Sequence, residues 1–240
     1  MNKPKNIGDK WAAGDGIFET IRVEDNKVFA LHRHHCRAME AAAKLGIKIP
    51  SEEFVAAESY QVIQSEDFKL GKLRWHFSRS GEFTISYVQF VDPTSAANLM
   101  IFDERLSDFK VKNKEFPYKN LELLELAKSL KFDDGIIVRS DGQVAETSTA
   151  SLLLKIENRW VTPPLSSGIL NGVVRALVLE ADLAQVSRID FQDLERVESG
   201  LLLTSLRNAQ NIASIAGRKL IIDNQKCAEI HKLMQEFKGR

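Results

Sequence analysis

Residues 135–175 read GIIVRSDGQVAETSTASLLLKIENRWVTPPLSSGILNGVVR, and their punctuation decides the fold class. Gly135-Ile136-Ile137-Val138-Arg139 is an apolar run of strand length, followed by Asp141-Gly142, a pair that favours a tight hairpin turn. Two more runs, Leu152-Leu153-Leu154-Lys155 and Arg159-Trp160-Val161-Thr162, flank a turn at Glu157-Asn158. The segment then changes character. Pro163, Pro164, Ser166, Ser167, Gly168 and Gly172 make a rigid loop that opens into a helix from Val173 to about Leu183. Sheet segments interleaved with helices indicate a mixed α/β (α+β) fold.

The same pattern extends in both directions. Upstream, Ile17–Val23 alternates as a half-buried strand, and Glu24-Asp25-Asn26-Lys27 turns into a second strand at Val28–Leu31. Ala38, Met39, Ala42 and Leu45 recur at helical spacing, with Gly46 placed as a C-cap. Ser51-Glu52-Glu53 opens a second helix that runs to about Ser65. Residues 73–78 and 83–88 form a hairpin, and 98–102 a further strand, so the first part reads as a mainly antiparallel α+β unit. Leu121, Leu124, Ala127 and Leu130 mark a helix, Gly200–Thr204 a buried strand and Cys227–Phe237 a closing helix. We expect a small N-terminal domain over 1–112 and a larger one over 113–240, the boundary falling near Phe109–Lys119.

Composition excludes several classes. The 240 residues are 44% hydrophobic, enough apolar surface to rule out a disordered chain. Lys and Arg number 33, as do Asp and Glu, so there is no basic excess of the kind that binds nucleic acid. Cys36 and Cys227 are the only cysteines and form no CxxC, which argues against a disulfide framework or a structural zinc. The polar start, Met1-Asn2-Lys3-Pro4-Lys5-Asn6, has no apolar core, and no apolar run is long enough to span a bilayer. A cytoplasmic protein is expected.

Periodicity alone leaves the chemistry open. Glu146, before the Thr147-Ser148-Thr149 run, reads on its own as an exposed strand-end acid. The Gly172 helix start offers amides to an anion, yet is also an ordinary loop exit. His32, His34 and His35 crowd one segment without a closed set of metal ligands or an acid on the same face, so no metal site is expected.

Taken together, four segments resemble one family. They are Gly14-Asp15-Gly16-Ile17-Phe18-Glu19-Thr20-Ile21-Arg22, His34-His35-Cys36-Arg37, Glu146-Thr147-Ser148, and Thr162-Pro163-Pro164-Leu165 through Asn171-Gly172. In this order they resemble the fold-type IV pyridoxal-phosphate enzymes, the class IV aminotransferase family, over about residues 14–210. The resemblance implies a two-domain fold with pyridoxal 5'-phosphate in the interdomain cleft, a homodimer, and a small-molecule amino substrate. It makes Lys119 the catalytic lysine that carries the cofactor, with Lys114 or Lys112 as alternatives because the interval to the acid is short. Glu146 would face the pyridine nitrogen. Arg37, Gly172, Val173, Val174, Thr204 and Ser205 would hold the phosphate.

Within the family, the opening segment and Thr204-Ser205-Leu206-Arg207 are most similar to 4-amino-4-deoxychorismate lyases, which release pyruvate and 4-aminobenzoate for folate synthesis. An aminotransferase acting on branched-chain or D-amino acids is the alternative. A third reading is a cofactor-less binding protein on the same scaffold. Val174 and Ser151 motivate it, standing where the family often has Thr and Asn.

Overall fold

The computed structural model describes residues 16–105 and 118–239. Its contacts divide the chain into two compact units. One runs to Asp92 and takes back the C-terminal residues from Met234; the other is Pro93–Leu233.

In the first unit, β1 (Gly16–Glu24), β2 (Lys27–Val28), β3 (Leu70–Ser78) and β4 (Phe83–Gln89) form an antiparallel sheet in the order β2-β1-β3-β4. Asp25 and Asn26 take positive φ at 50° and 60°, the twist that a two-residue hairpin needs. The second strand is shorter than the sequence suggests. Ala30 adopts a left-handed conformation and Leu31 already begins α1 (Leu31–Leu45). Gly46 then caps α1 at φ 67°, its N–H donating to the Ala42 carbonyl. Ser51 caps α2 (Glu52–Gln64) by accepting from the Phe54 amide.

The core of this unit sets Val55 and Ile63 of α2 and Ala38 and Ala42 of α1 against Ile21, Leu73, Trp75, Phe77 and Ile85 of the sheet. Trp75 is fully buried, and its indole N–H donates to Ser59 Oγ at 2.8 Å, so even its polar edge is satisfied.

The second unit is built on nine strands: β5 (Ala97–Asp103), β6 (Asp134–Val138), β7 (Val144–Thr147), β8 (Ser151–Ile156), β9 (Arg159–Thr162), β10 (Gln185–Val186), β11 (Val197–Thr204), β12 (Asn208–Ile215) and β13 (Arg218–Lys219). Eight run in the order β10-β9-β8-β11-β12-β5-β6-β7, and β13 pairs with β12. Helices α3 (Tyr118–Ser129) and α4 (Val173–Glu180) and 3-10 turns at Leu165–Ser167 and Phe191–Arg196 belong to this unit, and α5 (Asn224–Gln235) begins in it. The hairpins expected at Asp141-Gly142 and Glu157-Asn158 are present, with positive φ at Gly142, Glu157 and Asn158.

Two expectations shift. The sequence reading groups the strand at 98–102 with the N-terminal part, but β5 runs parallel to β6 and β12 and lies in the unit Pro93–Leu233. The helix from Val173 stops at Glu180. Strand β12 has no clear signal in the sequence, because Asn208, Gln210 and Ser214 interrupt its apolar pattern while being buried themselves.

Removing the Ser59 hydroxyl leaves the Trp75 N–H buried without a partner. Ser59→Ala is therefore expected to destabilise the protein by about 1–3 kcal/mol, read from urea unfolding. A change inside measurement error would mean that this hydrogen bond contributes nothing net.

Candidate active site

The second unit gathers most of the residues singled out from sequence. Glu146, the third residue of β7, is 6% exposed, so it is a buried acid and not the exposed strand-end residue that periodicity alone suggests. Its Oε1 accepts from the Leu170 amide at 3.2 Å, in the loop that leads to α4. Arg175, on the first turn of α4, is also buried and is fixed by Thr162 Oγ1 and the Pro163 carbonyl. Burial pushes its guanidinium below the usual arginine range, and the Glu146 charge works against that shift.

The start of α4 sits against β8. Gly172 is its N-cap, and no side chain caps the helix. The Gly172 N–H donates to the Leu170 carbonyl at 2.9 Å, so the amides that point onward are those of Val173 and Val174. A Cβ on Gly172 would lie 2.9 Å from Ser151 Oγ, closer than carbon and oxygen tolerate. Ser151 in turn pairs with Leu203 across β8 and β11. Thr204 follows Leu203, and its Oγ1 accepts from the Arg207 amide at 3.0 Å, which leaves the hydroxyl proton to be given elsewhere. Ser205 is half-buried in the same turn.

Between these parts, Ser148 is 6% exposed and its Oγ has no hydrogen-bond partner among the described residues. Asn120 of α3 donates to the Ser148 carbonyl at 3.1 Å, while its own buried Oδ1 has no partner among the described residues. Asn120 does not stand out in the sequence, and Ser148 is marked there only as part of the Glu146-Thr147-Ser148 segment, with no signal of its burial. Lys119 lies by its backbone in the first turn of α3. Its side chain, and Lys112 and Lys114 altogether, fall outside the described residues.

Arg37 belongs to the first unit. From α1 its Nε reaches Glu19 Oε1 at 2.9 Å and its Nη2 contacts Oε2, a two-pronged grip on a carboxylate of β1. His34 Nδ1 meets the same carboxylate at 2.6 Å, and both His34 and Glu19 are buried. The neighbouring histidines divide. His35 is buried against the Pro50 carbonyl, whereas exposed His32 holds Glu52 Oε2 at 2.7 Å. An acid does face that cluster, contrary to the sequence reading, because α2 delivers it from 20 residues away.

An uncapped helix start, a buried acid bonded to the loop that leads into it, and a buried serine hydroxyl with no partner among the described residues supply donors and charge, and a helix start of this kind suits an anion. The class IV aminotransferase family pattern matches residues 16–215. The chain belongs to that family.

Enzymes of the class IV aminotransferase family work with pyridoxal phosphate. This member is 24% identical over 227 residues to a Schizosaccharomyces pombe protein described as a candidate aminodeoxychorismate lyase, covering 90% of this chain and 94% of that one. It is 25% identical over 256 residues to a Rickettsia conorii protein described as a candidate branched-chain-amino-acid aminotransferase, covering 92% and 85%. A Legionella pneumophila structure, described as a candidate 4-amino-4-deoxychorismate lyase, has the same fold: TM-score 0.81 at 19% identity, covering 98% of this chain and 96% of that one. No described helix is long and apolar enough to cross a membrane.

The Glu19–His34–Arg37 contact has a pH signature. Burial pushes Glu19 upward, but hydrogen bonds and charge from His34 and Arg37 outweigh it and hold the group below 4.5. Burial pushes His34 below 6.5, with Glu19 opposing. Both groups take up protons more readily in the unfolded chain, so both contributions are lost on acidification, that of His34 below about pH 6.5 and that of Glu19 below about pH 4.5. Urea midpoints are expected to fall steadily over that range. Glu19→Gln should flatten the slope while weakening the protein at neutral pH, and an unchanged slope in Glu19→Gln would assign the acid sensitivity elsewhere.

Proposed function

We propose that this chain is a pyridoxal-phosphate-dependent 4-amino-4-deoxychorismate lyase, converting its substrate to pyruvate and 4-aminobenzoate for folate synthesis. The observation that carries this choice is the near end-to-end correspondence with the Schizosaccharomyces pombe relative, 90% of this chain against 94% of that one. The reaction balances without a co-reactant, since the two products together contain every atom of the substrate. Branched-chain or D-amino-acid transamination is the second reading, its branched-chain form favoured by the Rickettsia conorii relative.

In this reading the chain's own groups have distinct tasks. Lys119 holds the cofactor covalently and moves the proton at the substrate's α-carbon. Glu146 keeps the ring nitrogen protonated, because a nearby negative charge in a partly dry site favours the charged form of its partner. The Val173 and Val174 amides, at the positive end of α4, and the Thr204 and Ser205 hydroxyls receive the phosphate. Gly172 keeps the approach to those amides open. For Arg37 we also propose a phosphate contact, and for the assembly a cytoplasmic homodimer. When bound, pyridoxal phosphate supplies an electron sink for the substrate's α-carbon.

Two experiments test the reading. Incubated with 4-amino-4-deoxychorismate, the purified enzyme should form pyruvate and 4-aminobenzoate in equal amounts; amino transfer to an oxo acid without pyruvate would establish the second reading instead. Glu146→Gln keeps size and hydrogen bonding but removes the charge, so turnover should drop roughly 10- to 100-fold with cofactor occupancy nearly unchanged. A Gln variant that works like wild type would remove Glu146 from the site.

The lysine is tested separately. Lys119→Ala should abolish the adduct that borohydride fixes between protein and cofactor. If Lys114→Ala abolishes it and Lys119→Ala does not, the lysine is Lys114.

A further inference from the structure

Behind Glu146 lies a second carboxylate that the reading above does not use. Asp134, the first residue of β6, is 1% exposed. Its Oδ1 accepts from the Gly135 amide at 2.7 Å and the Ser148 amide at 3.0 Å. Its Oδ2 accepts from Thr147 Oγ1 at 2.9 Å, the Thr149 amide at 3.2 Å and Thr149 Oγ1 at 2.6 Å. Every partner is a donor, as a carboxylate requires. Four of the five come from Thr147–Thr149, the residues directly after Glu146.

The Thr149 hydroxyl has a second role. While donating to Asp134, it accepts from Arg207 Nη2 at 3.2 Å. Arg207 is also committed elsewhere: its Nη1 donates to Gln210 Oε1 at 2.7 Å, and its amide donates to Thr204 Oγ1 at 3.0 Å. Burial lowers its pKa, opposed by the charges of Asp134 and Asp133. One hydroxyl therefore joins the loop behind the acid to the turn that carries Thr204 and Ser205. No local sequence pattern links these residues, since Asp134, Thr149 and Arg207 lie on three separate segments.

We propose that Asp134 and Arg207 are positioning residues that, through Thr149 Oγ1, hold Glu146 and the Thr204-Ser205 turn in register around one cofactor. The inference rests on the cofactor reading above, which assigns Glu146 to the ring nitrogen and the turn to the phosphate. Its physical basis is rigidity. A loop held by four hydrogen bonds to a buried charge has one low-energy arrangement, and the acid at its start inherits that order. Breaking the joint frees both ends at once, so a single methyl-for-hydroxyl exchange should disturb ring and phosphate contacts together.

Thr149 is solvent-exposed apart from this joint, so its variants should fold. Thr149→Val removes the hydroxyl at constant shape, and Thr149→Ser restores it. We expect Thr149→Val to weaken pyridoxal-phosphate binding about tenfold in absorbance titration and to lower kcat about tenfold, with KM for the amino substrate within about twofold of wild type. Thr149→Ser should recover both. Asp134→Asn should reproduce the Val phenotype, and if it does not fold, the Val and Ser pair still decides.

Wild-type cofactor affinity and kcat in Thr149→Val, alongside an impaired Glu146→Gln, would overturn the positioning role and leave the cofactor reading standing. Equal losses in the Val and Ser variants would also overturn it, since the hydroxyl would then be irrelevant. Wild-type behaviour of Glu146→Gln would instead remove the reading on which the inference rests.

Discussion

A carboxylate inside a protein must find donors to replace the water it has lost, and this chain buries Glu19, Asp134 and Glu146 at 4%, 1% and 6% exposure. Each solves the problem differently. Glu19 faces a guanidinium and an imidazole from α1, so the charge that it buries also fastens the helix to β1. Asp134 gathers backbone amides and threonine hydroxyls, and thereby ties down the loop at Thr147–Thr149. Glu146 accepts from the Leu170 amide, and its charge acts on the buried Arg175.

The apolar core makes these arrangements possible. In the second unit Leu152, Leu154, Leu202 and Ile212 are fully buried in strands that hydrogen-bond to one another, and the polar residues sit where those strands end. Ser151 begins β8 and Thr204 ends β11, and the antiparallel register brings Ser151 opposite Leu203. The loop from Pro163 then returns α4 so that its first turn meets Ser151. Lyase and aminotransferase chemistry share the groups that hold and tune the cofactor. The choice between them depends on side chains that meet the rest of the substrate.

Much of the fold is legible in the sequence. Alternation in β1 and β3, the cap residues Ser51 and Gly46, and the turn pairs Asp141-Gly142 and Glu157-Asn158 each act within a few residues, so local chemistry decides them. The order of the family segments was equally readable, because the family is defined by linear motifs. For the same reason the sequence singles out Glu146 as a candidate acid, although it gives no sign of its burial.

Only the tertiary structure decided the rest. Strand β5 joins the second sheet because β6 and β12 offer parallel edges, and nothing in its own seven residues names those partners. Strand β12 hides its identity behind Asn208 and Gln210, polar residues whose burial depends on where the neighbouring strands lie. Glu52 reaches His32 from a different helix, and Asp134 reaches Thr147–Thr149 from a different strand. Hydrogen bonds of this kind are made across space between residues distant in the chain. Periodicity records which face of an element is apolar, whereas the partner of a polar side chain is set by how the elements pack.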